Sequence, residues 1–287
     1  MDGLMKRIED HRSRFSKGQK RIADYIIRSY DKAAFMTAAQ LGEMVGVSES
    51  TVVRFTYTIG LDGYPKLQEA LQEMMRHRMT TVQRIQIAQE IPREALMRTI
   101  LLSDAANVRA TADMVNSETF DSVVQAIMDA RRIYVIGIRS AAALAQFFAY
   151  YLDFVCDDVM LVSGGVQEIT ERLIRIRPED VCFGFNFPRY SVHTVDAMRF
   201  AKKQGATVIT LTDNMGAPSA AFSDYTLCAK SDIASFTDSL TAPMSLINAI
   251  LAAVGYARTE TASRHLSKLE QIWSNEKIYM TDGMESR

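Results

Sequence analysis

Residues Leu41 to Phe55 constrain this chain more than any other part of it. The stretch reads Leu41-Gly42-Glu43-Met44-Val45-Gly46-Val47-Ser48-Glu49-Ser50-Thr51-Val52-Val53-Arg54-Phe55. Leu41, Met44 and Val45 fall at i, i+3 and i+4, which is one face of a short helix. Gly46 sits where that helix must stop, and glycine takes a left-handed backbone there without a steric penalty. Gly42 has no side chain, so a second helix can cross close above it. Val47 is expected to tuck into the core, and Ser48 suits the N-cap of the next helix. Val52, Phe55 and Ile59 then repeat at three and four residues and are expected to face inward. Two short helices joined by a tight turn form the geometry that lays its second helix in the DNA major groove.

That arrangement leaves Ser48, Glu49, Ser50, Val53, Arg54 and Tyr57 toward the outer face, mostly at the N-terminal end of the second helix. Arg54 is best placed for direct readout, because a guanidinium bonds two acceptors of guanine at once. Ser50 and Thr51 can reach phosphate or a base edge, and Glu49 can accept from cytosine. The competing reading is an ordinary helical hairpin with Arg54 a solvated charge. The glycine, the apolar positions on both sides and the polar first turn together favour DNA.

Overall charge is −1 and argues nothing for nucleic acid, but its distribution does. Residues 1–80 carry 13 Lys/Arg against 10 Asp/Glu, and the remainder carries 20 against 24. Arg12, Arg14, Lys17, Lys20 and Arg21 lie within 11–21, where there is no acid. This run, with Lys17 at a helix start, reads as a source of phosphate contacts or equally as a solvated helix face.

A chain of 287 residues holds two domains, and its 48% hydrophobic content is enough for sizeable cores. Apolar runs reach only about ten residues and adjoin charges, so no membrane span is expected. The N-terminus lacks the layout of a secretory signal. Cys156, Cys182 and Cys228 are odd in number and set in apolar runs, which predicts buried free thiols in a reducing cytoplasm.

Residues 16–30 read as a helix before the hairpin, and Gly60 to Pro65 as a turn before another helix through Leu67, Leu71, Met74 and Met75. This all-α domain is expected to span 1–77. Residues 78–130 are helical with a break at Ile91-Pro92, and serve as a linker or a dimer surface. From Arg132 the pattern changes to short apolar strands: Ile133–Gly137, Asp158–Val162, Asp180–Phe185, Thr207–Thr212 and Asp224–Cys228. Helices are expected between them and after the last, from about Thr237 to Tyr256 and Glu260 to Trp273. Alternation of this kind predicts an α/β domain over 131–287, with a five-stranded parallel sheet covered on both faces. No repeats or low-complexity tracts occur.

Ligands of such sheets sit beyond the carboxyl ends of the strands. Gly137-Ile138-Arg139-Ser140 opens a helix whose free N–H groups favour an anion, although the dinucleotide fingerprint is absent. Asn186-Phe187-Pro188-Arg189-Tyr190-Ser191 brings a cation, an amide and hydroxyls to one helix entrance. Thr212-Asp213-Asn214 can bond sugar hydroxyls or cap a turn. Each loop also admits a reading as plain capping chemistry.

With these pieces assembled, residues 5–256 resemble the RpiR family of bacterial transcription regulators. That family joins an N-terminal helix-turn-helix domain to a C-terminal sugar isomerase (SIS) domain. The 41–55 segment resembles the family's recognition segment, and Gly60 to Leu67 the turn that follows it. Thr212-Asp213-Asn214 and Ser235-Phe236-Thr237-Asp238-Ser239 also resemble family positions. The resemblance implies a homodimer or homotetramer that binds double-stranded operator DNA and senses a phosphosugar or related anionic metabolite, with no cofactor and no metal. The DNA-binding set is then Lys17, Ser48, Glu49, Ser50, Thr51, Arg54 and Tyr57, and the effector set Arg139, Ser140, Asn186, Arg189, Ser191, Thr212 and Ser239.

The departures lie in the ligand loops. Against the Ser-x-Ser-Gly-x-Thr-x-Glu phosphate loop of many SIS domains, Asn186 and Pro188 replace the serines, Arg189 the glycine and His193 the glutamate. A branch of the family shares this pattern. Arg189 still argues for an anion, whose oxygens its fork matches in pairs. Two other functions compete with a regulator: a ketose–aldose phosphate isomerase with His193 or His265 as base, and a sensor whose helical domain docks on protein.

Overall fold

The computed structural model describes residues 3–78, 91–162, 171–232 and 236–279, together with Val82, Arg84, Ile85, Gln89 and Ile169. The chain divides into two compact units, Met1–Glu90 and Ile91–Arg287. Each is described by itself.

The first unit is helical: α1 Gly3–Asp10, α2 Lys17–Arg28, α3 Tyr30–Ala33, α4 Ala38–Val45, α5 Glu49–Thr58 and α6 Tyr64–Arg78. The helix expected over 16–30 divides at Ser29, whose backbone leaves the helical region (φ −144°, ψ 45°). Both α2 and α4 begin with reciprocal capping boxes, Ser16 with Gln19 and Thr37 with Gln40, which satisfy amide groups the helices leave open. Ile22, Ile26, Leu41, Val52, Phe55, Ile59 and Leu67 meet in one core. From α6, the Tyr64 hydroxyl and the Gln68 amide both donate to the Met36 carbonyl, at 2.7 and 3.1 Å. Burial pushes the Tyr64 phenol up to about 12.

The second unit begins with α7 Arg93–Met114 and α8 Ser117–Asp129. Residues 91–130, read from sequence as linker or dimer surface, therefore contribute two helices to this unit. Val123 and Ile127 of α8 are fully buried in its core, and Asn107 and Thr111 of α7 are buried and bonded to residues 230–239. The remaining elements alternate: β1 Ile133–Gly137, α9 Ala141–Leu152, β2 Val159–Val162, β3 Val181–Phe185, α10 Val192–Lys203, β4 Thr207–Thr212, β5 Tyr225–Cys228, α11 Thr241–Ala257 and α12 Thr259–Asn275. The helical stretch expected before Ile174 falls largely outside the described residues.

All pairings are parallel and the strand order is β2-β1-β3-β4-β5. The order reverses between β1 and β3, where such sheets place their ligands. Alternate strand residues serve opposite faces. Val135, Phe183 and Ile209 pack with Phe148 and Ile250 on one side, whereas Tyr134, Cys182 and Val208 pack with Met198 on the other. Cys156 and Cys182 are buried as expected, but Cys228 is only half-buried because β5 is the edge strand. Burial pushes the three thiols up to about 11, 12 and 11 in chain order. Among the described residues no helix is long and apolar enough to cross a membrane.

Candidate functional site

The hairpin forms through close backbone contact. α4 ends at Gly46 in the left-handed region (φ 67°), and the Val47 N–H donates to the Gly42 carbonyl at 2.8 Å. A Cβ at Gly42 would stand 2.8 Å from the Val47 carbonyl oxygen. What crosses above Gly42 is therefore the turn backbone leading into α5. Leu41 and Val45 are buried, but Met44, expected on the same face, is 58% exposed. An eight-residue helix has room inward for a narrower stripe than the spacing suggested.

Ser48 occupies the N-cap position in extended backbone, yet its hydroxyl makes no capping bond to α5, contrary to expectation. It bonds instead to the hydroxyls of Ser50 and Thr51, each at 2.9 Å, which compete with the helix N–H groups for it. Thr51 Oγ1 in turn accepts from Arg54 Nη2 at 3.5 Å. Ser48, Glu49, Ser50, Arg54 and Tyr57 are exposed and Thr51 is half-exposed. Val53, expected outward, packs against the core.

The start of α2 lies beside this turn. A Cβ at Gly18 would approach Val47 Cγ1 at 3.2 Å and Thr51 Cγ2 at 3.4 Å. That places exposed Lys17, the neighbouring residue in the chain, near the first turn of α5. The Arg21 guanidinium covers Gly46. Arg21 belongs to the basic run of residues 11–21, although the DNA-binding set takes only Lys17 from that run. Arg12 is engaged elsewhere, bonded to Asp24 at 2.7 Å.

In the second unit, Gly137, Phe185 and Leu211 are register partners, so the loops after β1, β3 and β4 begin level at one edge of the sheet. Asn186 is 1% exposed. Its Oδ1 accepts from the Ser191 N–H at 2.9 Å, and its carbonyl accepts from the Thr212 hydroxyl at 2.7 Å. Ser191 caps α10 through the Thr194 N–H at 3.3 Å. The Nδ2 of Asn186 is buried without a partner among the described residues. A donor left unsatisfied there costs about 1–3 kcal/mol, which a bound acceptor would recover. The Asp213 carboxylate accepts from the Tyr190 hydroxyl and the Asn214 amide, both at 2.7 Å, and from the Thr212 hydroxyl at 3.1 Å. This Tyr190–Asp213 link was not foreseen, since the two residues are 23 positions apart. Arg189 is exposed in the same loop.

Arg139 is exposed and left-handed (φ 61°), a conformation costly for a side chain with a Cβ. Ser140 opens α9 without capping it, and its hydroxyl donates to Asp238 Oδ2 at 2.7 Å. Ser239 is turned to another use. Its hydroxyl donates to Asp104 of α7 at 2.6 Å and accepts from Asn107 at 3.4 Å. The structure thus brings Asn186, Ser191 and Thr212 into one network and sets Arg139 and Ser140 on the neighbouring loop, while Ser239 joins α7. Ser235 lies outside the described residues. His193 is exposed in the first turn of α10, and His265 is half-buried in α12.

The comparisons with known proteins match this arrangement. The helix-turn-helix domain model of the rpiR family matches residues 2–77, and the SIS domain model matches residues 126–253. The HTH-type transcriptional regulator HexR of Pseudomonas aeruginosa is 25% identical over 235 residues, covering 79% of this chain and 78% of that protein. The sugar isomerase domain of an RpiR transcription factor from Sphaerobacter thermophilus superposes with a TM-score of 0.60 at 25% identity, over 62% of this chain and 99% of that one. The Vibrio vulnificus NanR protein complexed with ManNAc-6P superposes with a TM-score of 0.58 at 18% identity, over 94% and 98%. At that identity the likeness is one of fold. A helix-turn-helix domain followed by a SIS domain defines a transcriptional regulator. This chain belongs to the RpiR family of such regulators.

Proposed function

We propose that this regulator reads operator DNA with α5 and that a small anionic carbohydrate metabolite, a phosphosugar or sugar acid, binds the carboxyl edge of its sheet and alters that reading. The observation that carries the effector half is the Asn186 amide, buried at the entrance of α10 with no partner for Nδ2 among the described residues. The unsatisfied N–H groups of a helix start favour an oxygen-rich anion. Arg189 lies in the same loop, and Arg139 and Ser140 lie on the neighbouring one after β1. The ManNAc-6P complexed with NanR supports the reading only as far as the shared fold does.

For DNA, Lys17 and the N-terminal part of α5 (N-cap Ser48, Glu49, Ser50 and Thr51 in its first turn, then Arg54 and Tyr57) supply the contacts. A homodimer or homotetramer presents two such helices to half-sites about 34–36 Å apart. Exposed Met97, Leu101 and Leu102 on α7 supply an apolar surface for that association. The reading includes no catalysis: His193 is exposed and has no acidic partner among the described residues. Ligand binding changes DNA affinity only through its different affinity for the two states.

A thermal-shift screen of sugar phosphates and sugar acids, followed by operator mobility shifts with each hit, tests the proposal. A hit is expected that changes operator affinity in the wild type and fails to do so in Asn186→Ala. Turnover of a sugar phosphate abolished by His193→Ala would establish the isomerase reading instead.

A further inference from the structure

We propose that Asp238 is an internal anion seated at the opening of α9, that the effector's anionic group must displace it, and that the strap carrying it reports the exchange to α7. The proposal rests on the effector reading above. Its starting point is the 2.7 Å bond from the Ser140 hydroxyl to Asp238 Oδ2, across 98 positions of sequence. Ser140 stands at the N-cap of a twelve-residue helix, and its hydroxyl makes no capping bond to that helix. A carboxylate at this end is favoured by the helix dipole and stands where an external anion would be held. Two anions cannot share one hydroxyl donor at hydrogen-bond distance without strong repulsion. An effector reaching Ser140 therefore replaces Asp238.

Asp238 is not free to leave by itself. The next residue, Ser239, donates to Asp104 Oδ1 at 2.6 Å, and Thr241 donates to Asp104 Oδ2 at 3.0 Å. The two oxygens of this α7 carboxylate thus hold Ser239, in the strap of residues 236–240, and Thr241, the first residue of α11. One turn further along α7, buried Asn107 donates to Ser239 Oγ at 3.4 Å and to the Asp232 carbonyl at 3.1 Å. Neighbouring Cα atoms are only about 3.8 Å apart, so lifting Asp238 from Ser140 pulls on Ser239 and on the Asp104 clamp. α7 is the first helix of the second unit, and its chain runs back into the DNA-binding unit. Because coupling is reciprocal, whatever α7 gains from the displaced strap appears as a change in effector affinity.

The test uses the full chain and inorganic phosphate as probe. Phosphate is titrated calorimetrically at constant ionic strength, and backbone amide shifts at Asn186–Ser191 show where it lands. Asp238→Asn and Asp238→Ala are expected to bind phosphate about fivefold tighter or more, and Ser140→Ala to bind it more weakly. Asp104→Asn is expected to bind phosphate at least as tightly as the wild type while phosphate no longer changes operator affinity. Thermal melts check that each variant is folded. If the amides shift but both Asp238 variants bind no tighter than the wild type, displacement is overturned and the effector site stands. A phosphate effect on operator affinity that persists in Asp104→Asn overturns the route through α7. If the amides shift in no variant, the effector reading and this inference fall together.

Discussion

Replacing Gly42 by alanine sets two opposed effects against each other. Gly42 lies inside α4, where alanine is favoured over glycine by about 1 kcal/mol. The new Cβ, however, would stand 2.8 Å from the Val47 carbonyl oxygen and 3.4 Å from Ser48 C and Glu49 N. All three are backbone atoms of the turn, so no side chain can swing aside. The turn is also pinned by the Val47 N–H bond to the Gly42 carbonyl and by the left-handed Gly46. Relieving the contact means lifting the turn by about half an ångström. Overpacking of this kind costs roughly 1–3 kcal/mol, and a lost backbone bond about 1 kcal/mol more. The steric side wins, and a net loss of about 1–3 kcal/mol is expected. Gly255→Ala in α11 is the reference, because among the described residues nothing outside its own helix backbone lies within 4 Å of its Cβ. It gains up to about 1 kcal/mol. Hydrogen exchange with peptide resolution is the assay, since the two units need not open together. Protection across residues 38–58 is expected to fall in Gly42→Ala, while that across 241–257 is kept or rises in Gly255→Ala. Unchanged or greater protection over 38–58 would refute the close-approach argument.

Arg54→Ala is expected to cost about 1–3 kcal/mol of operator binding and to relax sequence preference, read by fluorescence anisotropy on matched and altered sites; unchanged preference would remove Arg54 from the base-reading set. Arg189→Ala is expected to abolish the effector response in mobility shifts and leave effector-free operator binding intact. The thiols make a pH prediction. Folding raises Cys156, Cys182 and Cys228 from 9.0 to about 11, 12 and 11, so the folded state disfavours the thiolate. The stability tied to the neutral thiols is complete below pH 9 and is lost as pH rises from 9 through 11 to about 12. Urea midpoints of the second unit are expected to fall over that range, and less steeply in Cys182→Ala; a midpoint constant to pH 11 in the wild type would contradict it.

The parts that could be read in advance are those whose cause is local. Strict polar–apolar alternation is not needed to find β1 and β3, for Ile133–Ile136 and Val181–Phe185 are continuous apolar runs, as strands buried on both faces must be. Gly46 marks a helix end because only its backbone conformation suits that place. The errors arise where neighbours compete. Met44 satisfies a helical spacing and still faces outward, and Ser48 turns from its own helix to Ser50 and Thr51.

By itself the sequence determined that a helix-turn-helix precedes a parallel α/β domain, and which loops close the strand ends, because spacing, glycine and apolar runs act within a few residues. The tertiary structure alone decided that β1 lies between β2 and β3 and that 91–130 belongs with the sheet. It also decided that Asp213 meets Tyr190, and that Asp238 and Ser239 tie Ser140 to Asp104. Those contacts join residues tens to more than a hundred positions apart. No local propensity encodes them, since each becomes favourable only after the core has brought its two ends together.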